Sequence, residues 1–503
     1  MLKARLEQDA VFGRCLAVAE PVRRGDLVVE ELPFAQGPKR DSGIVCLACY
    51  QFLQFGEDGD SLDRCEICDW PLCAACAIGS DVTDHSGECE VFANARVTFA
   101  GNVSDDGVCT QLDCITPLRV LLAKEADPER WDSQVEPMEH HEEERKEDAD
   151  VWHADRVNIA QYLRGPCKLS SRFSEELIMQ VVGILEVNAF EARTTKGFPL
   201  RCLYPYTGIL AHNCVPNTSR SIYPSEGYKI RLRAMVDLTE GQPLHHSYTY
   251  TLDGTAQRQR HLKQGKYFHC TCERCQDPSE LGTHFSSLKC GQCTEGYQVP
   301  RQPTDSDSSW NCSNCGASSS QAEVETLLQS LQSEVNKVQS LEMGAKRLEE
   351  AERLLRKYKS LLHPLHFIAT GLRQLLIEMY GRVQGYEMVQ LPEHQLERKV
   401  ELCRQVLGVL NVFEPGLSRT RAMNLYEMHV PLVLLAKNGF IASRLGGGEL
   451  RTRLVDAIDL LKECVEILEC EDKSSQEGVL CGVASQALKQ LLLSVEGLGS
   501  ELN

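Results

Sequence analysis

The sequence predicts an α+β chain of several domains, with strand-bearing segments and cysteine-rich metal modules ahead of a helical carboxy-terminal domain. Three observations lead there. Cysteines arrive in close pairs between positions 46 and 89 and again between 270 and 315. Between positions 200 and 250, Tyr228, Ile230 and Leu232 alternate with Lys229, Arg231 and Arg233, the period of two of a half-buried strand. Beyond Ser320, Leu348, Ala351, Leu355, Tyr358 and Leu362 fall three and four apart on one helical face, and Leu454, Ile458, Leu461, Val465 and Leu468 repeat that spacing.

With 503 residues, 42% of them hydrophobic, the chain is longer than one hydrophobic core usually organises. Its first forty residues alternate apolar and polar positions about a Gly25-Asp26 turn, with Leu16 and Val18 before it and Val28 after it, which predicts a hairpin. Residues 1–12 carry Arg5, Glu7 and Asp9 and lack the apolar run of a secretory signal. No segment reads as long and apolar enough to span a bilayer. The chain is therefore expected in the cytoplasm, the nucleus or both, without a membrane partner. Residues 118–185 read as helical, interrupted at 139–150 by a charged stretch expected to be a solvated helix face or loop. Residues 300–309, rich in Pro, Ser and Asp, read as a loop. Towards the carboxy terminus Pro364, Pro392, Pro415 and the glycines at 446–448 punctuate what should be a stack of antiparallel, tetratricopeptide-like helices, although no strict repeat is present.

Net charge is −19, from 53 Lys and Arg against 72 Asp and Glu. A general nucleic-acid binder needs clustered Lys and Arg to neutralise phosphates, so direct nucleic-acid binding is not expected. A basic protein is the easier partner, and an acidic total also serves solubility. In a reducing compartment the 24 cysteines mean metal sites or buried thiols rather than disulfides.

Cys46-x-x-Cys49, Cys65-x-x-Cys68, Cys73-x-x-Cys76 and His85-x-x-x-Cys89 supply eight soft donors, enough for two tetrahedral zinc sites. So short a segment buries little apolar surface, and each structural zinc adds on the order of 10 kcal/mol or more to its folding. Cys270-x-Cys272-x-x-Cys275 gives three donors and needs a fourth from elsewhere; Cys214, beside His212, Pro216 and Asn217, is the candidate. Cys290-x-x-Cys293 and Cys312-x-x-Cys315, with Trp310 beside them, have the spacing of a one-zinc ribbon. Fifteen cysteines and one histidine thus make four closed sites, which are structural because no position is left open for water. The nine remaining cysteines, including Cys403, Cys464, Cys470 and Cys481 on apolar helix faces, read as buried small hydrophobes.

The first zinc cluster resembles a MYND finger, and its place between two parts of a strand-rich domain resembles the SET and MYND family of protein-lysine methyltransferases. Further stretches agree in order. Gly13-Arg14-Cys15-Leu16 looks like the amino-terminal cofactor turn, Asn188-Ala189-Phe190 like the Asn-Ser-Phe segment, and Ala211-His212-Asn213-Cys214-Val215-Pro216-Asn217, after Leu203-Tyr204-Pro205, like the Asn-His-Ser-Cys-x-Pro-Asn signature. Gly241-Gln242-Pro243-Leu244 and Ser247-Tyr248 resemble the Gly-Glu-Glu-Leu and Ser-Tyr elements ahead of Phe268, and Glu414-Pro415-Gly416 and Leu425-Tyr426 are landmarks of the helical part. The ribbon resembles an insect-type branch. The resemblance implies a SET part at 1–45, a MYND finger at 46–89, a helical insert at 90–187, a SET core at 188–255, a post-SET zinc site at 256–280, the ribbon at 281–320 and a helical domain at 321–503.

It also implies chemistry. S-adenosylmethionine would be bound by Gly13, Arg14, Asn188, His212, Tyr248 and Phe268, the ring of Phe268 stacking on adenine, and the Tyr248 hydroxyl would orient the reacting amine. Protein substrates with an exposed lysine, histone or not, are the implied partners, with proline-rich peptides at the MYND finger and a monomeric chain. Three departures bear on activity: Cys15 stands where the cofactor turn has glycine, Ala211 where the signature has asparagine, and Pro243 removes a backbone donor. The competing expectation is a scaffold with the same fold that binds partner proteins in transcriptional regulation without useful turnover.

Overall fold

The computed structural model describes residues 3–40, 42–54, 62–78 and 85–501, the last four of these in backbone alone. The strands of the amino-terminal part are β1 (Ala4–Asp9), β2 (Gly13–Val18), β3 (Leu27–Glu31), β4 (Ala35–Gly37), β5 (Phe190–Arg193), β6 (Pro199–Leu203), β7 (Ala211–His212), β8 (Thr218–Tyr223), β9 (Lys229–Ala234) and β10 (His245–His246). They form small sheets in the orders β1-β2, β3-β9-β8 and β4-β6-β5, with β7 parallel to β10. Every other residue of β9 is buried, as its alternation predicts.

The expected hairpin about Gly25-Asp26 is corrected. β1 and β2 make the hairpin, turning at residues 10–12, while the Gly25-Asp26 turn sends β3 across to β9, more than two hundred residues on. Val28 and Val29 bury against Leu232 and Leu16 in one core there, a long-range gain that local alternation cannot report. The Asp26 carboxylate fixes the turn by accepting from Lys3 Nζ at 2.9 Å and from the Arg23 amide at 3.2 Å.

Between β4 and β5 lies the inserted part, with helices α1 (Ser86–Ala95), α2 (Ile115–Ala126), α3 (Glu142–Glu147), α4 (Ala149–Asp155) and α5 (Glu175–Asn188). Its metal donors interleave: Cys46 and Cys49 meet Cys73 and Cys76, while Cys65 and Cys68 meet His85 and Cys89, all donor atoms of a set within 4.8 Å of one another. Cys49 and Cys73 sulfurs lie 3.8 Å apart, as do those of Cys65 and Cys89. Sulfurs at about 2.3 Å from a tetrahedral zinc stand about 3.8 Å apart, whereas a disulfide needs about 2.05 Å. His85 Nδ1 is 3.1 Å from the Glu88 carboxylate, which also takes Arg119 Nε at 3.2 Å, so the ligand ring is oriented from behind. Arg119, on α2, also donates to the Tyr50 hydroxyl and the Leu47 carbonyl, each at 2.7 Å, tying the finger to the insert.

The charged stretch at 139–150 is only partly solvated. Arg145 within it is buried, bonded to Asp155 at 2.8 Å and to the Met179 carbonyl at 3.2 Å. A single inward Arg among outward carboxylates leaves no trace in the charge pattern.

After β10 come α6 (Thr255–Lys266) and the Cys270 segment, then the ribbon strands β11 (Leu288–Lys289), β12 (Tyr297–Pro300), β13 (Trp310–Cys312) and β14 (Ser318–Ser319). Cys290–Cys315 and Cys293–Cys312 sulfurs each lie 3.7 Å apart, again a tetrahedral spacing. Seven helices complete the described residues: α7 (Gln321–Gln339), α8 (Ala345–Tyr358), α9 (Phe367–Met379), α10 (Glu393–Phe413), α11 (Arg419–Ile441), α12 (Gly447–Leu468) and α13 (Gln476–Glu501). The apolar stripes of α8 and α12 face the helical core as their spacing predicts. Cys403 and Cys464 are buried, but Cys470 lies past the end of α12 rather than on a helix face. α13 corrects the membrane reading. Over Gln476–Gly497 it is long and apolar enough to cross a bilayer, an 18-residue stretch within it having a mean hydropathy of 1.4 with 17% of that stretch buried. Its Ala484, Leu491 and Val495 join the core beneath it, so length and composition alone do not make it a span.

Gly416 shows why the helical domain meets the strands where it does. Its φ is +81° and a Cβ there would stand 1.9 Å from the Met235 carbonyl, so only glycine allows the contact. Behind α6, Glu280 sits between two buried guanidiniums, 3.1 Å from Arg258 Nη1 and 3.1 Å from Arg274 Nε, and Arg274 lies 3.3 Å from the Phe413 ring centroid of α10.

Two outcomes follow. Elemental analysis of the purified chain should find four zinc ions, and Cys293→Ser should remove one; a count of two or fewer would contradict the cluster geometry. Glu280→Ala should strand both guanidiniums and cost about 3–5 kcal/mol, read as a large drop in the thermal unfolding midpoint; an unchanged midpoint would contradict this.

Candidate functional site

The site is built around one knot of four cysteines. The Cys214, Cys270, Cys272 and Cys275 sulfurs lie within 4.8 Å of one another, with Cys214 3.5 Å from Cys275 and 4.0 Å from Cys270. Four thiolates around a divalent ion leave a net negative charge, and Arg258 answers it, its Nε 3.2 Å from the Cys214 sulfur and its Nη2 3.6 Å from that of Cys275. Arg258 and Glu280 are both buried, so Arg258 links the knot to a carboxylate that the buried Arg274 also pairs.

Asn217 holds the turn next to the knot. Its Oδ1 accepts from the His245 amide at 2.7 Å and its Nδ2 donates to the Pro243 carbonyl at 2.9 Å, fastening β10 beside β7. The His212 end of β7, the Tyr248 turn after β10 and the Phe268 turn after α6 are thereby brought together.

A cavity of about 960 Å3 opens against this junction, within the usual size of small-molecule sites. Gly13, Arg14, Asn188, His212, Tyr248 and Phe268 all line it. The Tyr248 hydroxyl donates to the Leu210 carbonyl, and its amide donates to His212 Nδ1 at 3.0 Å. Since Nδ1 accepts, the ring hydrogen of His212 sits on Nε2, 3.3 Å from the Cys214 sulfur, and burial pushes its pKa down to about 4. His212 is thus a neutral strut between knot and tyrosine, with both nitrogens engaged. Burial pushes the Tyr248 phenol up, so it stays a protonated donor at neutral pH. The Phe268 ring stands 5.9 Å from His212 and 6.5 Å from Tyr248, nearly perpendicular to the latter at 84°.

The other two polar residues are held by the insert. Asn188 Nδ2 donates to the Glu139 and Ile184 carbonyls at 2.8 and 2.9 Å, and Arg14 donates to the Pro137 carbonyl. Gly13 has φ +67° and nothing within 4 Å of a Cβ position, so its backbone faces open space. His246 Nδ1 is buried on the cavity wall with no hydrogen-bond partner among the described residues.

The three departures cost less than the sequence suggests. Cys15 is 2% exposed and is not among the cavity-lining residues. Pro243 interrupts no ladder bond, because the flanking Gly241 and Leu244 amides donate to Val18 and Leu16 at 2.9 and 2.8 Å. Ala211 does line the cavity. Sequence reasoning missed Lys266, Arg220 and His246 on the cavity wall and the Leu210 carbonyl that fixes Tyr248. Only Lys266 had a signal, its place two residues before Phe268.

No family model matches the chain. Among curated proteins it is similar to the SET domain-containing protein SmydA-8 of Drosophila melanogaster: isoform A is 30% identical over 318 residues, 62% of this chain and 64% of that protein. Isoform B is 25% identical over 325 residues, 62% of this chain and 66% of that protein. The human histone-lysine N-methyltransferase SMYD1 is 30% identical over 152 residues, 28% of this chain and 30% of that protein. The match therefore spans a little under two thirds of SmydA-8. A solved structure of the SET domain of LSMT bound to lysine and AdoHcy overlaps 87% of each chain at 10% identity, with a TM-score of 0.26, too loose to bear on the fold. The chain is thus similar, over a little under two thirds of their length, to SET domain-containing proteins, and over a shorter stretch to a protein named as a histone-lysine methyltransferase.

Proposed function

We propose that the chain is an S-adenosylmethionine-dependent protein-lysine methyltransferase. One observation carries this: the β1-β2 hairpin, the carboxy-terminal end of α5 and the turns beside the Cys214 knot bring Gly13, Arg14, Asn188, His212, Tyr248 and Phe268 to a single cavity. The methyltransferase name of the SMYD1 relative supports it. The residues present suit the cofactor, with an open backbone turn at Gly13, an unpaired buried nitrogen at His246 and an aromatic face at Phe268. The cofactor supplies a methyl group on a sulfonium. The chain supplies position and an environment. The Tyr248 hydroxyl, its hydrogen committed to Leu210, keeps acceptor capacity for the N–H of an entering amine, while its ring walls the cavity. A lysine titrates near about 10.4 in water, and a cavity walled by protein favours its neutral, nucleophilic form. Alignment of two reactants contributes several kcal/mol.

The four clusters would hold zinc, each with four protein ligands and so in a structural role. The remaining readings belong to the same proposal: a monomer of the cytoplasm, the nucleus or both, acting on proteins with an exposed lysine, with proline-rich peptides docking at the MYND-type finger. The scaffold reading is favoured by one observation, that Arg14, Asn188 and His212 already spend hydrogen bonds within the protein. Calorimetric titration with S-adenosylmethionine separates the two: saturable heat at one site per chain is expected, and its absence would leave the scaffold. Tyr248→Phe should keep that heat while lowering methyl transfer on the order of a hundredfold.

A further inference from the structure

Lys266, the last residue of α6, sends its side chain back into the cavity that Tyr248 lines. Its ammonium donates to the Val187 carbonyl and lies 5.7 Å from the Tyr248 ring centroid, a cation held over an aromatic face. No carboxylate stands within ion-pair distance of it among the described residues, and Arg220, another cation, lines the same cavity beside Phe190. A half-buried ammonium without a counter-ion is costly. Burial accordingly pushes the Lys266 pKa down; Arg220 adds to that, while Glu186 opposes it. The outcome is an amine of this chain, eased towards its neutral form, over the ring whose hydroxyl would orient an amine.

We propose that Lys266 is itself a methyl acceptor of this site, modified within its own chain. The inference rests on the methyltransferase reading above. The neutral Nζ lone pair forms a bond to the sulfonium methyl carbon, the carbon–sulfur bond breaks with its electron pair remaining on sulfur as S-adenosylhomocysteine, and the resulting methylammonium releases one proton to water. Because donor site and acceptor share one chain, no second molecule has to be captured, and the tethered amine holds a high effective concentration over any lysine arriving from outside. Lys266 would therefore compete with outside substrates until it is methylated.

The test uses the full chain with its zinc. After incubation with trideuteromethyl S-adenosylmethionine, peptide mapping should place the label on Lys266, at a rate constant that does not change on dilution, and Lys266→Arg should lose it. A second readout does not depend on turnover: acylation of Lys266 by an N-hydroxysuccinimide ester should be lost when S-adenosylhomocysteine is added, while that of the exposed Lys473 persists. Equal acylation of Lys266 with and without that ligand would overturn its placement, and labelling that slows on dilution would overturn the intramolecular route. An unlabelled Lys266 in a preparation that binds S-adenosylmethionine by calorimetry would overturn this inference alone. A preparation that binds none would overturn the methyltransferase reading and this inference with it.

Discussion

The rest of the structure depends on the convergence of the Cys214 sulfur with those of Cys270, Cys272 and Cys275 in the geometry of one tetrahedral metal site. The two segments lie 56 positions apart at their nearest cysteines in sequence, and the apolar cluster that joins them is small, Leu262, Tyr248 and Phe268 packing about the cysteines. A structural zinc can supply on the order of 10 kcal/mol to such a closure. Its reach is short but well placed. Two residues before Cys214 is His212, two before Cys270 is Phe268, and the His212 ring passes the constraint on to the Tyr248 amide. The Arg258 guanidinium offsets part of the thiolate charge directly, and it is held in place by Glu280, whose own charge Arg274 answers.

The helical domain acts as the far brace of the same frame. Gly416 closes on the Met235 carbonyl, Arg419 pairs with Glu471 at 2.5 Å and donates to the Arg220 carbonyl, and Tyr223 donates to the Cys470 carbonyl at 2.5 Å. Arg220 is the residue after which this seam meets the cavity, its guanidinium 4.9 Å from the Phe190 ring centroid. A displacement of the helices would thus be felt at the cavity wall through β8, which carries Arg220.

Much of this was legible in the sequence, for physical reasons. Close cysteine pairs carry the spacing of tetrahedral metal sites, so the grouping of all sixteen donor residues into four clusters was readable, including the long-range choice of Cys214. The stripes of α8 and α12 and the alternation of β9 follow from burying one face of a regular element. What escaped depends on partners far away in the chain. Alternation around Val28 announces a strand but not that β9 rather than β2 receives it. Arg145 turns inward because Asp155 waits there, and Lys266 enters the cavity because the Val187 carbonyl does. The length of α13 was hidden by its few scattered charges, Glu477, Lys489 and Glu496.

The most direct measurement of the account compares cofactor affinity in two cysteine variants that each lose one zinc ligand. Calorimetric titration with S-adenosylhomocysteine should show binding abolished in Cys214→Ser and retained in Cys315→Ser, whose ribbon lies outside the cavity. Equal binding in the two variants would contradict the claim that the Cys214 knot assembles the site.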